Sequence, residues 1–170
     1  MIDTETPTDG QAPEAQAAPP SPTPGPVHSK LARLQGRWQG TEKISPTPML
    51  PNGATATGTV ENELAFNGMG VIHNYHQVRE GSDEPFRGHG VFQVLPNSET
   101  VVLTWFDQMG RFEFLGQFQG DDLMMECRLP DGLSRCAYRL GEGAYRFVMS
   151  MSQDGQTWMP FIDGTYKRVE

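Results

Sequence analysis

From Leu34 to Val169 the chain consists of ten stretches in which aromatic and β-branched residues alternate with polar ones, punctuated by glycine or proline about every ten residues. A period of two is the pattern of strands with one face buried, and no stretch of this body sustains a helical period. The alternation predicts strands over 35–44, 55–66, 70–79, 86–95, 100–107, 112–119, 122–129, 133–140, 144–152 and 157–169. The connectors FNGMG, REGSDEP, LPNSE, QMGR, QGDD, PDG, GEGA and QDGQ are short and rich in turn formers, so consecutive strands are expected to pair as hairpins. SPTPMLPNGA, between the first two strands, is longer and broken by proline, and is expected to cover one mouth of the assembly. A meander of this length either leaves two unpaired edges or closes, and closure alone removes the edges. The expected fold is all-β: an antiparallel up-and-down barrel of about ten strands over residues 28–170.

Ahead of it, residues 1–27 hold half of the chain's 14 prolines and almost nothing to bury. Such a segment cannot offset its ordering entropy and is expected to be a disordered tail. HSKLARL is expected to form a short helical turn into the body, with Leu31 and Leu34 on one side. The tail carries four of the 21 acids and none of the 13 bases, so the body's share of the net charge of −8 is only −4. Mild acidity is contrary to a surface that tracks phosphates, and no nucleic-acid partner is expected. No run approaches the roughly 20 apolar residues of a membrane helix, and MIDTETPTDG has neither the basic nor the apolar region of a secretion signal. A cytoplasmic location without a membrane partner is therefore expected. A small-molecule ligand is the expected partner, and a homodimer is left open.

One face of each strand is bulky and apolar. Phe112, Phe114, Gly116 and Phe118 share a face, as do Tyr145, Phe147, Met149 and Met151. Barrels of eight to ten strands are wide enough to hold a small ligand, and aromatics and methionines suit a pocket wall as well as a packed core. Gly36-x-Trp38 on the first strand, with GTYKR at 164–168 on the last, resembles the calycin superfamily of lipocalins, fatty-acid-binding proteins and nitrobindin-like barrels. That resemblance implies that Trp38 plugs one end of the barrel and that Arg168 stacks on its indole, an arrangement contributing about 0.5–2 kcal/mol beyond burial. The glycines flanking the Trp are expected to make room for the indole where strands converge. The wider set GRWQGTE, FRGHGV, TWFDQMG and MSQDGQTWMPFIDGTYKR resembles the bacterial DUF1579 family, a lipocalin-like group of unknown function, over about residues 30–169. Nitrobindin-like barrels bind haem through a histidine late in the chain. No histidine follows His89 here, so that ligand is not carried over and no cofactor is expected.

The polar residues of these strands narrow the chemistry. His73 and Tyr75 lie on one face of their strand and Asn74 and His76 on the other, so the two histidines cannot chelate a metal together, and no metal is expected. His89 sits between two glycines, which leave space for a neighbouring backbone or a ligand; its plain structural reading is a surface or hydrogen-bonded histidine. Alternation from Trp38 puts Glu42 on the side of the indole, and Asp107 shares a face with Leu103 and Trp105 at a rim. There is no G-x-S-x-G, no metal-ligand cluster and no phosphate-cradling loop. The function expected is binding of a small apolar or amphipathic molecule in the barrel, lined by Glu42, Tyr75, His89, Trp105, Asp107, Phe112, Phe114, Tyr145, Phe147 and Met149. The rival reading is a small-molecule isomerase, cyclase or hydrolase using a cavity carboxylate or histidine as acid/base. A third is an interaction module recruiting through the tail.

Two turns compete between the seventh and eighth strands. A two-residue DG turn makes Cys127 and Cys136 direct partners and gathers the apolar residues on one face. A PDG turn with a bulge puts the cysteines on opposite faces. Apolar segregation favours the first, and reduced thiols are expected in either case.

Overall fold

The computed structural model describes residues 21–48 and 50–169, so the disorder expected of residues 1–20 lies outside the described residues. Each alternating stretch is a strand: β1 Gly36–Ile44, β2 Ala54–Ala65, β3 Gly70–Arg79, β4 Phe86–Val94, β5 Val101–Asp107, β6 Gly110–Gln119, β7 Asp122–Leu129, β8 Gly132–Leu140, β9 Ala144–Ser152 and β10 Met159–Val169. They form one closed barrel in which every strand pairs antiparallel with its sequence neighbours and β10 pairs with β1. At that seam Trp38 lies opposite Arg168 and Glu42 opposite Gly164.

One end of the barrel is sealed. The helix α1, Pro26–Leu31, and the 3-10 turn η1, Ala32–Leu34, lie across it and bury Leu31 and Leu34. Pro26 and Val27, which composition groups with the tail, are the first turn of that helix; proline suits this position because its missing N–H has no partner to lose there. Lys30 donates to the carbonyl of Gly120, and Arg33 pairs with Asp121 and reaches the carbonyl of Leu140, tying the seal to the turns at this end. Trp38 is buried beneath it, with the Arg168 guanidinium 4.3 Å from its ring centroid. Arg168 also donates to the carbonyl of Gln35 at 2.6 Å.

The glycines around Trp38 serve other side chains than the indole. A Cβ on Gly36 would lie 2.3 Å from Arg168 Nη1, and one on Gly40 would lie 2.8 Å from the Tyr166 ring. Both spaces are needed by residues that arrive from β10, across the seam.

Between β7 and β8 neither expected register forms. Pro130 and Asp131 are the two turn residues, Leu129 faces Gly132, and Cys127 faces Ser134 while Cys136 faces Met125. Proline at the first central position, Asp at the second and Gly after them fit a type I turn, and within the turn the missing proline N–H costs no ladder bond. The cysteines nonetheless share the inner face, offset diagonally, and both are free thiols. No helix among the described residues is long and apolar enough to cross a membrane.

Candidate functional site

Alternation places every second residue inside the barrel, and the inward set is too small, at several glycines, to fill it. What remains is a cavity of about 880 Å³. Its mouth lies opposite the seal, among Pro46, Thr47 and Pro48 of the β1–β2 connector, Met109 of the β5–β6 turn, Pro130 and Asp131 of the β7–β8 turn, and Met159 and Phe161 at the start of β10. The long proline-broken connector thus stands at the mouth, as its composition suggests. Below it the wall is formed by Tyr75, Trp105, Phe112, Phe114, Tyr145, Phe147 and Met149, with Asp107 near the rim. All of these are residues that the alternating pattern singles out.

Trp105 lies flat across β4. A Cβ on Gly88 would lie 1.9 Å from Trp105 Cζ2, and one on Gly90 would lie 3.0 Å from Cε3. The space beside His89 is therefore taken by an indole, which the absence of side chains at 88 and 90 lets rest on backbone. The Trp105 indole N–H donates to Asp107 Oδ2 at 2.7 Å, and Asp107 Oδ1 accepts from the Met109 N–H at 2.7 Å. Both oxygens of the rim carboxylate are engaged in holding the indole and the turn. His89, between the two glycines, alternates to the outer face; it is exposed, and its Nδ1 meets Asn74 Oδ1 at 2.7 Å. The expectation that it lines the cavity is corrected on that geometry.

Glu42 points inward but does not line the cavity. It is fully buried, and its carboxylate accepts from Tyr75 Oη at 2.7 Å and Gln77 Nε2 at 2.6 Å on one oxygen and from Tyr166 Oη on the other. Gln77 Nε2 also reaches Tyr75 Oη at 2.8 Å. Tyr166 fits because β1, β2 and β10 present Gly40, Gly58 and Gly164 to its ring. Burial, the nearby Glu42 charge and the hydrogen bonds to it drive the Tyr75 and Tyr166 hydroxyls far above the ordinary phenol range, so both stay protonated donors. A buried carboxylate needs such donors, and here three of them engage both of its oxygens.

Among the lining residues that sequence reasoning left out of the site is His73. It is 4% exposed, lines the cavity, and packs against Phe92, Trp105 and Tyr138 with centroids 5.5, 5.6 and 6.4 Å away. Burial first, and His89 second, lower its pKa from 6.5 to about 4, so the ring is neutral at physiological pH. Its Nδ1 meets Asn62 Oδ1 at 2.6 Å, while Asn62 Nδ2 donates to the carbonyl of Leu34 at 2.8 Å, the same carbonyl that accepts the Trp38 indole N–H. Because the Asn62 amide is committed to donating, its Oδ1 is an acceptor, and the network assigns the imidazole hydrogen to Nδ1. Nε2 is then a bare acceptor with no partner among the described residues. The signal for it was in the sequence: His73 shares a strand face with Tyr75.

Tyr138 and Tyr145 complete the floor. Both are buried, line the cavity and have hydroxyls held well above the usual range by burial, with Glu42 adding to the effect. Cys136 also lines it, and burial pushes its thiol up to about 12. Among the described residues, no Lys or Arg contributes to the wall.

The model of the family described as "Protein of unknown function (DUF1579)" matches residues 23–168. The chain belongs to the DUF1579 family. Among solved structures this DUF1579 barrel is similar to Rv2717c from M. tuberculosis, at 15% identity and a TM-score of 0.68, over 86% of this chain and 99% of that one. It is also similar to the S-type phycobiliprotein lyase CPES from Guillardia theta, at 8% identity and a TM-score of 0.63, over 85% and 93%. At these identities the likeness is one of fold. No curated protein matches the chain.

Proposed function

We propose that this DUF1579 protein binds a small, largely apolar molecule inside its barrel. The observation that carries the reading is the cavity of about 880 Å³, open at one end, walled by aromatic and methionine side chains and carrying a few polar groups at its floor. That volume lies in the range of small-molecule sites, and a wall that is mostly apolar with sparse polar anchors is the usual composition of one. Against an acid/base role for Glu42 stands the engagement of both its oxygens by Tyr75, Gln77 and Tyr166. Asp107 is likewise engaged by Trp105 and the Met109 N–H. Proton transfer to a substrate would first have to break those bonds, whereas binding leaves them intact.

Native mass spectrometry of protein purified from its own host tests the reading: a retained molecule of a few hundred daltons is expected, released on unfolding. Binding of a neutral apolar dye such as Nile red should accompany it and should weaken strongly in Met149→Trp, which fills the cavity. No retained mass, together with dye binding that Met149→Trp leaves unchanged, would sink the proposal.

A further inference from the structure

The floor of the cavity presents an unusual set of unsatisfied hydrogen-bonding groups. His73 Nε2 has no hydrogen-bond partner among the described residues. Among the described residues, His28 Nε2 is the only fully enclosed side-chain polar atom that lacks one. His73 Nε2 is therefore not sealed off, and for a residue 4% exposed that lines the cavity, the space it reaches is the cavity itself. The Tyr138 and Tyr145 hydroxyls make no hydrogen bond among the described residues and are not enclosed either. A lone pair on a neutral imidazole accepts only, and a phenol hydroxyl both donates and accepts.

Resting on the reading that the barrel binds a small molecule, we infer that its ligand is a neutral aromatic or polycyclic compound whose hydroxyl or N–H donates to His73 Nε2 at the cavity floor. Three features converge on this class. Asn62 and the Leu34 carbonyl fix the imidazole so that an acceptor, not a donor, faces the ligand. A hydroxyl head satisfies both kinds of floor group, giving its hydrogen to His73 and accepting from a tyrosine hydroxyl. An anionic head fails here. It has no hydrogen to give, meets no Lys or Arg on the wall, and lies in the field of the buried Glu42 carboxylate, which tyrosine hydroxyls face at the floor. The remaining wall, with Trp105 tilted 46° to the His73 ring and Tyr138 tilted 51° to Phe147, offers ring faces and edges to a flat apolar body.

Three probes of one size separate the possibilities: 2-naphthol, 2-methoxynaphthalene and 2-naphthoate, titrated by isothermal calorimetry or fluorescence at pH 7 against the full chain and against His73→Phe. A buried acceptor left unpartnered weakens binding, so wild type should bind the naphthol about tenfold or more tighter than its methyl ether. His73→Phe should abolish that preference while still binding the ether. Naphthoate should bind weakest to wild type. The 15N resonance of His73 Nε2 should move on adding naphthol and stay in place with the ether, a readout that packing alone would not produce. Equal binding of naphthol and ether by wild type, or naphthoate binding as tightly as naphthol, overturns the inference and leaves the cavity reading standing. Binding of none of the three by wild type overturns both. Should His73→Phe fail to fold, the wild-type ratio and the 15N shift decide the matter alone.

Discussion

Tyr166 donates its hydroxyl to Glu42 from 124 residues away in sequence, across the seam where the last strand closes on the first. The bond adds to the backbone ladder a second side-chain link between the two strands, beside the Arg168 guanidinium on the Trp38 indole. Tyr166→Phe leaves Glu42 Oε1 buried without a donor, and the expected cost is about 1–3 kcal/mol, with the fold retained. Glu42→Ala should cost more, about 3–5 kcal/mol, because it strands the Tyr75 and Tyr166 hydroxyls and opens a void. Urea denaturation of both variants reads this out; a Tyr166→Phe midpoint equal to wild type would show that the bond contributes nothing net.

His73 sets a pH dependence of stability. The folded protein holds it neutral with a pKa near 4, against 6.5 for the free side chain, through burial and the neighbouring His89. Between those values the unfolded chain binds more protons than the folded one, so stability rises with pH across that window. The contribution is complete above about pH 6.5 and is lost as pH falls toward about 4, up to about 3 kcal/mol. Because carboxylates also titrate there, the measurement is a difference: denaturation of wild type and His73→Phe at pH 7, 5.5 and 4.5. The variant should show the shallower slope; parallel slopes would contradict the assignment.

Gly88→Ala places a methyl where the Trp105 ring lies. The indole must leave its seat, its bond to Asp107 breaks, and the cavity changes shape. A shift in tryptophan emission and a marked loss of dye binding are expected, with a stability cost of about 1–3 kcal/mol from the forced repacking. Unchanged emission would mean that β4 yields instead.

Arg168→Ala removes the guanidinium from the Trp38 face and its bond to the Gln35 carbonyl. A loss of about 1–3 kcal/mol is expected, and Arg168→Lys should restore only part, since an ammonium cannot both lie flat on an indole and reach that carbonyl. Thermal melts of the three proteins provide the comparison.

The strands were legible because a period of two survives in sequence, and closure followed from the cost of open edges. The plug and its cation were legible only through the resemblance that Gly36-x-Trp38 and GTYKR carry to the calycin barrels. The glycines were misread because what lies over a glycine comes from the adjacent strand: register decides that Gly40 receives Tyr166 and Gly88 receives Trp105. The histidines were sorted correctly within β3, yet which face of β4 turns inward depends on its offset from β3, and there His89 opposes Asn74. Glu42 was placed on the inner side, but its donors stand on β3 and β10, too far along the chain for any local pattern to reveal. The cysteine register turned on one proline that the structure puts inside the turn.

The seal of α1, η1 and Trp38 makes the barrel a cup and not a tube. Whatever enters must leave by the same route, so entry is vectorial. In the binding mode proposed above, the end that meets His73 goes in first, and Pro46, Met109 and Met159 of the rim stand beside the opposite end. Substituents on the trailing end are therefore free to lengthen into solvent, whereas any group added beside the leading end must be matched atom for atom by the floor.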